Sequence, residues 1–198
     1  MPDFISITIV NVGYLSTNYW VVSAGKSRLL VDPGYPGTMG TLRGRLKQMD
    51  IPLKEIKYAL ATHYHIDHAG LAQELKMEGV DLLVMETQVE AIPLMKQFTK
   101  PKDHYMDIIL DGNVTIPFSE SRNLLSNNGI PGEILPTPGH SDDSVSLLLD
   151  DGSAFIGDLT PLEAAFGEAG ELVKASWRLL KERGTKHVFP GHGPVRLV

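Results

Sequence analysis

The sequence predicts one α/β domain, and three observations carry that expectation. Short β-type runs alternate with helical stripes along the chain. Several of those runs end in a small or turn-forming residue followed by His or Asp, the pattern of a sheet whose functional side chains gather at one edge. At 198 residues, with no linker, low-complexity tract or clear repeat, the chain is the length of a single domain with a substantial core.

Taken in order, residues 4–10 alternate with period two and are expected as a strand. Residues 18–23 and 28–32 read as a hairpin around Ala24-Gly25-Lys26-Ser27, ended by the turn Asp32-Pro33-Gly34. A helix is expected over 38–49, stopped before Pro52, and then a buried strand over 56–61. Leu71, Ala72 and Leu75 form a helical stripe with Gln73, Glu74 and Lys76 outside and Gly79 as its stop, and 82–85 is a short strand. Residues 86–128 are punctuated by Pro93, Pro101 and Pro117; helix is expected at 86–97 and 120–126, and the rest is unassigned. Residues 133–135 run into Pro136-Thr137-Pro138-Gly139-His140, and 145–149 and 154–156 flank the turn Asp150-Asp151-Gly152. Thr160-Pro161-Leu162-Glu163 reads as a capping box that opens a helix just after Asp158. A further helix is expected over 171–183, with Leu172, Val173, Leu179 and Leu180 inward and Gly184 as its cap, before a last strand at 186–189. Trp20 and Trp177 are expected in the core.

Composition narrows the function classes. Hydrophobic content of 42% and charged content of 21% are those of an ordinary globular protein. The net charge is −6 with no Lys/Arg block, which disfavours nucleic acid as a partner. The absence of cysteine excludes disulfides, thiolate ligands and a cysteine nucleophile. The start, Met1-Pro2-Asp3-Phe4-Ile5, lacks a signal-type pattern, and no apolar run approaches the ~20 residues of a spanning helix. A cytoplasmic location without membrane association is expected.

The chemistry concentrates in Thr62-His63-Tyr64-His65-Ile66-Asp67-His68-Ala69-Gly70. In an extended segment, residues two apart point the same way, so His63 and His65 can hold one ion while Tyr64 faces elsewhere. Asp67 and His68 fall where the chain turns and can face a second ion. Imidazole and carboxylate donors suit zinc, with manganese or iron as substitutes. Four segments share one grammar, an apolar run, a turn residue and then a donor, and they end at His63, His140, Asp158 and His192. Five of the seven histidines (His63, His65, His68, His140 and His192) belong to this set. His140 or His192 alone would be an ordinary surface histidine, and Asp158 alone a helix cap; beside the cluster they read as donors. His104 and His187 lack the grammar. Tyr14, Tyr35 and Tyr105 read as core or rim rather than substrate contacts.

With the His-x-His-x-Asp-His signature and the later donors, the chain resembles the metallo-β-lactamase superfamily from its N-terminal strands to Gly193. The resemblance implies a four-layer αβ/βα sandwich of two mixed sheets with helices outside, a single metallo-hydrolase domain over 1–198. It further implies His63, His65 and His140 on one metal, Asp67, His68 and His192 on a second, and Asp158 bridging them. Asp32 matches the family's acidic turn near the site and is expected to support a ligand. Two departures stand out. Gly139-His140-Ser141-Asp142-Asp143-Ser144 puts extra acid where the family often writes Gly-His-Thr-x-Gly, and only six residues follow His192, so no C-terminal substrate domain is expected.

The implied reaction is hydrolysis by a hydroxide shared between two divalent ions, with Asp67 orienting the nucleophile and accepting its proton. A small ester, thioester or lactone is the expected substrate class. Alternatives are a mononuclear iron-dependent oxygen or persulfide enzyme on the same fold, a phosphodiesterase, and a non-catalytic protein with a decayed site.

Overall fold

The computed structural model describes residues 6–198. Strands β1 (Ile7–Asn11), β2 (Trp20–Ala24), β3 (Ser27–Val31), β4 (Ile56–Leu60), β5 (Asp81–Met85) and β6 (Val114–Ile116) form one sheet in that order. Its first three strands pair antiparallel and the rest parallel. Strands β7 (Gly132–Pro136), β8 (Val145–Leu149), β9 (Ser153–Gly157), β10 (His187–Pro190) and β11 (Arg196–Leu197) form the second, ordered β11-β10-β9-β8-β7. There β9 and β10 run parallel and the other pairs antiparallel, so both sheets are mixed.

Side-chain alternation builds the layers. In β4, Tyr58 and Leu60 face a central core, while Ala59 faces the outer one; in β5, Leu83 and Met85 face inward and Leu82 and Val84 outward. Val145, Leu147, Leu149 and Phe155 of the second sheet meet the central core from the other side. Each fully buried Leu or Phe there contributes roughly 1.5–3 kcal/mol. The outer face of the first sheet is covered by α1 (Met39–Gln48), α2 (Ile66–Ala69) and α3 (Ala72–Met77), through Leu42, Leu46, Leu71 and Leu75. That of the second is covered by α5 (Gly167–Glu182) through Val173, Trp177 and Leu180. The four layers of the expected sandwich are present. Helix α4 (Phe118–Asn127) follows edge strand β6, precedes edge strand β7 and sends Leu125 into the central core, so it closes one side of the sandwich. Among the described residues no helix is long and apolar enough to cross a membrane.

Several expectations are corrected. Residues 4 and 5 of the first expected strand lie outside the described residues. No helix opens at Thr160: only a short 3-10 turn forms at Leu162–Ala164, without a side-chain cap. The Thr160 carbonyl is taken instead by the Trp177 indole N–H at 2.8 Å, and Leu162 is exposed, so no apolar stripe holds a helix there. Helix α5 starts four residues before its expected position, and its buried stripe is Val173, Trp177 and Leu180; Leu172, expected inward, is 49% exposed. The helix expected at 86–97 is broken into 3-10 turns at Glu86–Gln88 and Ile92–Phe98, while the one expected at 120–126 is α4. Strands β6 and β11 were not anticipated; three and two residues are too few for a period to register.

Candidate metal centre

Strand β4 delivers Thr62 and His63 to the rim of the sandwich, and Asp32, one residue past β3, fixes them. Asp32 is 1% exposed and sits in the left-handed region (φ 60°), which Asp tolerates better than most residues. Its Oδ1 accepts the Thr62 backbone N–H at 2.7 Å and the Thr62 hydroxyl at 2.9 Å, and its Oδ2 lies 3.0 Å from His68 Nδ1. The expected supporting role of Asp32 thus takes the form of a contact with His68. A donating Nδ1 leaves the His68 Nε2 lone pair free toward the centre.

The His63–His65 turn is joined to the second sheet. Tyr64 is buried on the helical side, as its odd position in the alternation required, and its backbone N–H donates to Asp143 Oδ2 at 2.8 Å. The extra acid of the 139–144 segment is therefore divided: Asp143 is buried and braces the His63–His65 turn, while Asp142 is exposed. Buried Gln88 donates through Nε2 to the carbonyls of Ala61, Thr62 and Asp143, and its Oε1 accepts the Met85 N–H at 3.1 Å. These bonds seat His140 against the first two histidines. His63 Nε2 and His65 Nδ1 are 3.0 Å apart, and His140 Nε2 is 3.1 Å from His65 Nδ1.

A second group lies alongside. His192 Nε2 is 3.1 Å from Asp67 Oδ2, and His68 Nε2 is 3.5 Å from the same oxygen. Asp158 stands between the groups: Oδ1 is 3.4 Å from His68 Nε2, and Oδ2 is 3.4 Å from His192 Nε2 and 3.9 Å from His140 Nε2. The loop before β2 holds this group from outside, with the Thr17 hydroxyl donating to Asp67 Oδ2 at 3.2 Å and His192 Nδ1 donating to the Ser16 carbonyl at 2.7 Å. Gly191 is needed because a Cβ there would lie 2.5 Å from both Asp158 Oδ1 and His68 Cε1.

The seven side chains named from the sequence are thus brought together, as the overlapping sets His63/His65/His140, His63/His68/Asp158 and Asp67/His68/His192. His104 and His187 are not among them. Thr17, Ser16 and Gln88 were missed by sequence reasoning, and no local pattern marks them; their partners lie 50, 176 and 26–55 residues away, apart from the Gln88–Met85 bond.

The electrostatics favour cation binding. Burial, and then the neighbouring imidazoles of His68, His65, His140 and His192, hold His63 well below the usual histidine pKa, which keeps it neutral with a lone pair available. Burial opposes charge on His68, but Asp32 and Asp158 outweigh it and push its pKa up to about 10. Asp158 would be raised by burial, yet His68, His192 and His140 draw it below the ordinary carboxylate value. His68 Nε2 is buried and meets no hydrogen-bond partner in good geometry, with Asp158 Oδ1 at 3.4 Å and Asp67 Oδ2 at 3.5 Å. An orphaned nitrogen among carboxylates, with imidazoles on either side, is what a cation would satisfy. Tetrahedral zinc with bonds of about 2.0–2.1 Å would hold its donors about 3.3–3.4 Å apart. The His63–His65, His65–His140, Asp67–His192 and Asp67–His68 donor separations run from 3.0 to 3.5 Å, and every donor of each group lies within 4.8 Å of the others. The residues fit divalent ions. A hollow of about 360 Å³, lined by His140, Asp158 and His192 with Leu159, Pro161 and Pro194, opens beside them.

Convergence of such donors from four loops of two sheets marks a metalloenzyme. Comparison with known proteins then gives its family: residues 12–192 match the metallo-beta-lactamase superfamily, and the chain belongs to it. It is accordingly a metal-dependent hydrolase. Among its relatives is a probable metallo-hydrolase, MJ0888, of Methanocaldococcus jannaschii, 27% identical over 194 residues that cover 92% of this chain and 90% of that protein. Another is an atrochrysone carboxyl ACP thioesterase of Aspergillus fumigatus, 28% identical over 186 residues, covering 90% of this chain and 51% of the thioesterase. The chain therefore spans nearly all of the first relative but about half of the second. A solved structure described as TTHA1623 in a di-iron-bound form shares the fold, with a TM-score of 0.72 at 22% identity over 96% of this chain and 94% of the other.

Proposed function

We propose that the chain is a dinuclear metal-dependent hydrolase of a small ester, thioester or lactone, working as one domain over residues 1–198 in the cytoplasm. The observation that carries this reading is the doubled donor set: His63, His65 and His140 for one ion, Asp67, His68 and His192 for the other, and Asp158 within reach of both. When bound, two divalent ions, zinc by donor chemistry with iron or manganese as substitutes, would polarise the substrate oxygen and supply hydroxide at a pH near about 7.

The chain's own residues do the rest. Neutral His63 offers its lone pair without first losing a proton. Asp32 holds His68 in the tautomer that turns Nε2 inward, and the Ser16 carbonyl does the same for His192. Asp67, held by the Thr17 hydroxyl, is placed to orient the nucleophile and accept its proton besides holding metal. Leu159, Pro161 and Pro194 wall the cleft and limit water around the reacting group.

The relatives support the class. One is named a metallo-hydrolase, one a thioesterase, and the structural neighbour a di-iron form. Net charge of −6 speaks for small molecules over nucleic acid. The test is metal content of protein purified without added metal, followed by an ester, lactone, thioester, lactam and phosphodiester panel. Two metal equivalents with turnover of one of the first three classes are expected. Cleavage of phosphodiesters alone, or one redox-active iron with oxygen consumption, would sink the proposal.

A further inference from the structure

The cleft beside the metal centre adjoins a second hollow of about 250 Å³, and Pro161 and Arg196 line both. Arg196 lies in β11, not in a loose tail: it pairs with Val188 of β10, the strand that leads to His192, and the Val198 N–H closes the pair on the Lys186 carbonyl at 3.1 Å. Directly paired residues share a sheet face, and Val188 packs on the α5 side with Trp177 and Leu180. Arg196 therefore projects to the face where the second hollow is lined by Trp177 and Lys181.

Charge makes this position informative. Arg28, Arg43, Arg122 and Arg183 each hold a carboxylate, whereas Arg196, like Arg45 and Arg178, makes no ion pair among the described residues; of these three, Arg196 alone lines the cleft beside the metal centre. Around it the cleft carries Asp158 and the second hollow Glu163 and Lys181. The net charge of −6 offers an anion no long-range attraction, so beyond the ions of the metal centre a local cation is what would fix its position. Among the described residues Arg196 is the one Lys or Arg side chain lining the metal-side cleft.

We propose that Arg196 anchors an anionic group, a phosphate or a carboxylate, carried on the leaving group of the substrate. This rests on the hydrolase reading above and narrows it. With an acyl carbonyl at the metal centre, a leaving group passing over Pro161 would bring its anion to the planar guanidinium where the two hollows meet, with Lys181 farther along.

The test uses the full-length, metal-loaded protein and three thioesters with one acyl group, whose leaving thiols end in a neutral, a carboxylate or a phosphate group. The wild type should favour one or both anionic substrates in kcat/KM. Arg196→Ala should raise KM for those about 10- to 100-fold, the loss of a charge-assisted bidentate contact, and leave kcat and the neutral substrate unchanged. Arg196→Lys should restore part of the preference, and the ratio between the anionic arms identifies the group. Equal use of all three substrates by the wild type, or a uniform fall for all three in Arg196→Ala, overturns the anchor. If no thioester is turned over, the thioester reading fails, and calorimetry with the matching carboxylate- and phosphate-ended alcohols on metal-free protein still decides. Binding to wild type that Arg196→Ala loses supports the anchor; no difference between the two proteins refutes it.

Discussion

Replacing Asp32 by asparagine alters one atom behind the metal centre, and its cost can be worked from the contacts. Asparagine accepts the left-handed backbone at φ 60°, so the turn after β3 should survive. Its carbonyl oxygen can keep the bonds that Oδ1 makes to Thr62 at 2.7 and 2.9 Å. The amide NH2 then replaces Oδ2, 3.0 Å from His68 Nδ1. A donor at that distance requires a lone pair on Nδ1, which moves the imidazole proton to Nε2, the atom that faces Asp67 and Asp158. The proton then occupies the lone pair a metal needs. Loss of such a supporting contact typically costs 10–100-fold in metal affinity, about 1.4–2.7 kcal/mol, and the tautomer conflict places Asp32→Asn toward the upper end. The weakening should be confined to the ion held by Asp67, His68 and His192, with the His63/His65/His140 ion changed by no more than about threefold. Chelator competition with metal counting by mass spectrometry reads both ions, and circular dichroism checks the fold. A variant that is folded and holds both ions as tightly as the wild type would show that Asp32 does not set the His68 tautomer.

Asp158→Ala should lose one metal equivalent as well as at least about 100-fold in turnover, since its two oxygens face both groups; retention of two ions would refute the bridging role. Gly191→Ala should weaken metal binding in a folded protein, because its Cβ would press on Asp158 and His68; unaltered stoichiometry and affinity would contradict the fit. Asp143→Ala leaves the buried Tyr64 N–H without an acceptor and should cost about 1–3 kcal/mol in denaturant unfolding, while Asp143→Asn, which keeps an acceptor oxygen, should cost less. In metal-free protein the raised His68 pKa contributes stability that is complete below its unfolded value near about 6.5 and is lost as pH rises through about 10. Unfolding free energies of wild type and His68→Gln across that window should converge at high pH. Over the same window metal affinity should rise with pH, as the proton leaves Nε2; a flat pH dependence would count against His68 as a ligand.

The two sheets were legible because their strands carry apolar residues with period two, as in β1, or bury both faces, as in β4. The donors were legible for a different reason: His and Asp at fixed offsets after a strand are rare unless a cation offsets the cost of crowding them. What escaped was the support. Any residue has the carbonyl that Ser16 offers to His192, and Thr17 and Gln88 take their roles from contacts far along the chain. The Thr160 box failed because capping residues start a helix only where an apolar stripe follows, and here the next such stripe begins at Val173. This difference bears on how the site can change. Substitution of a donor should remove a ligand outright, whereas substitution at Gln88 or Thr17 acts through the contacts that hold the donors in place. Residues that tune the chemistry of this chain are therefore to be sought among the bracing contacts and along the cleft that ends at Arg196, not in the His-x-His-x-Asp-His segment itself.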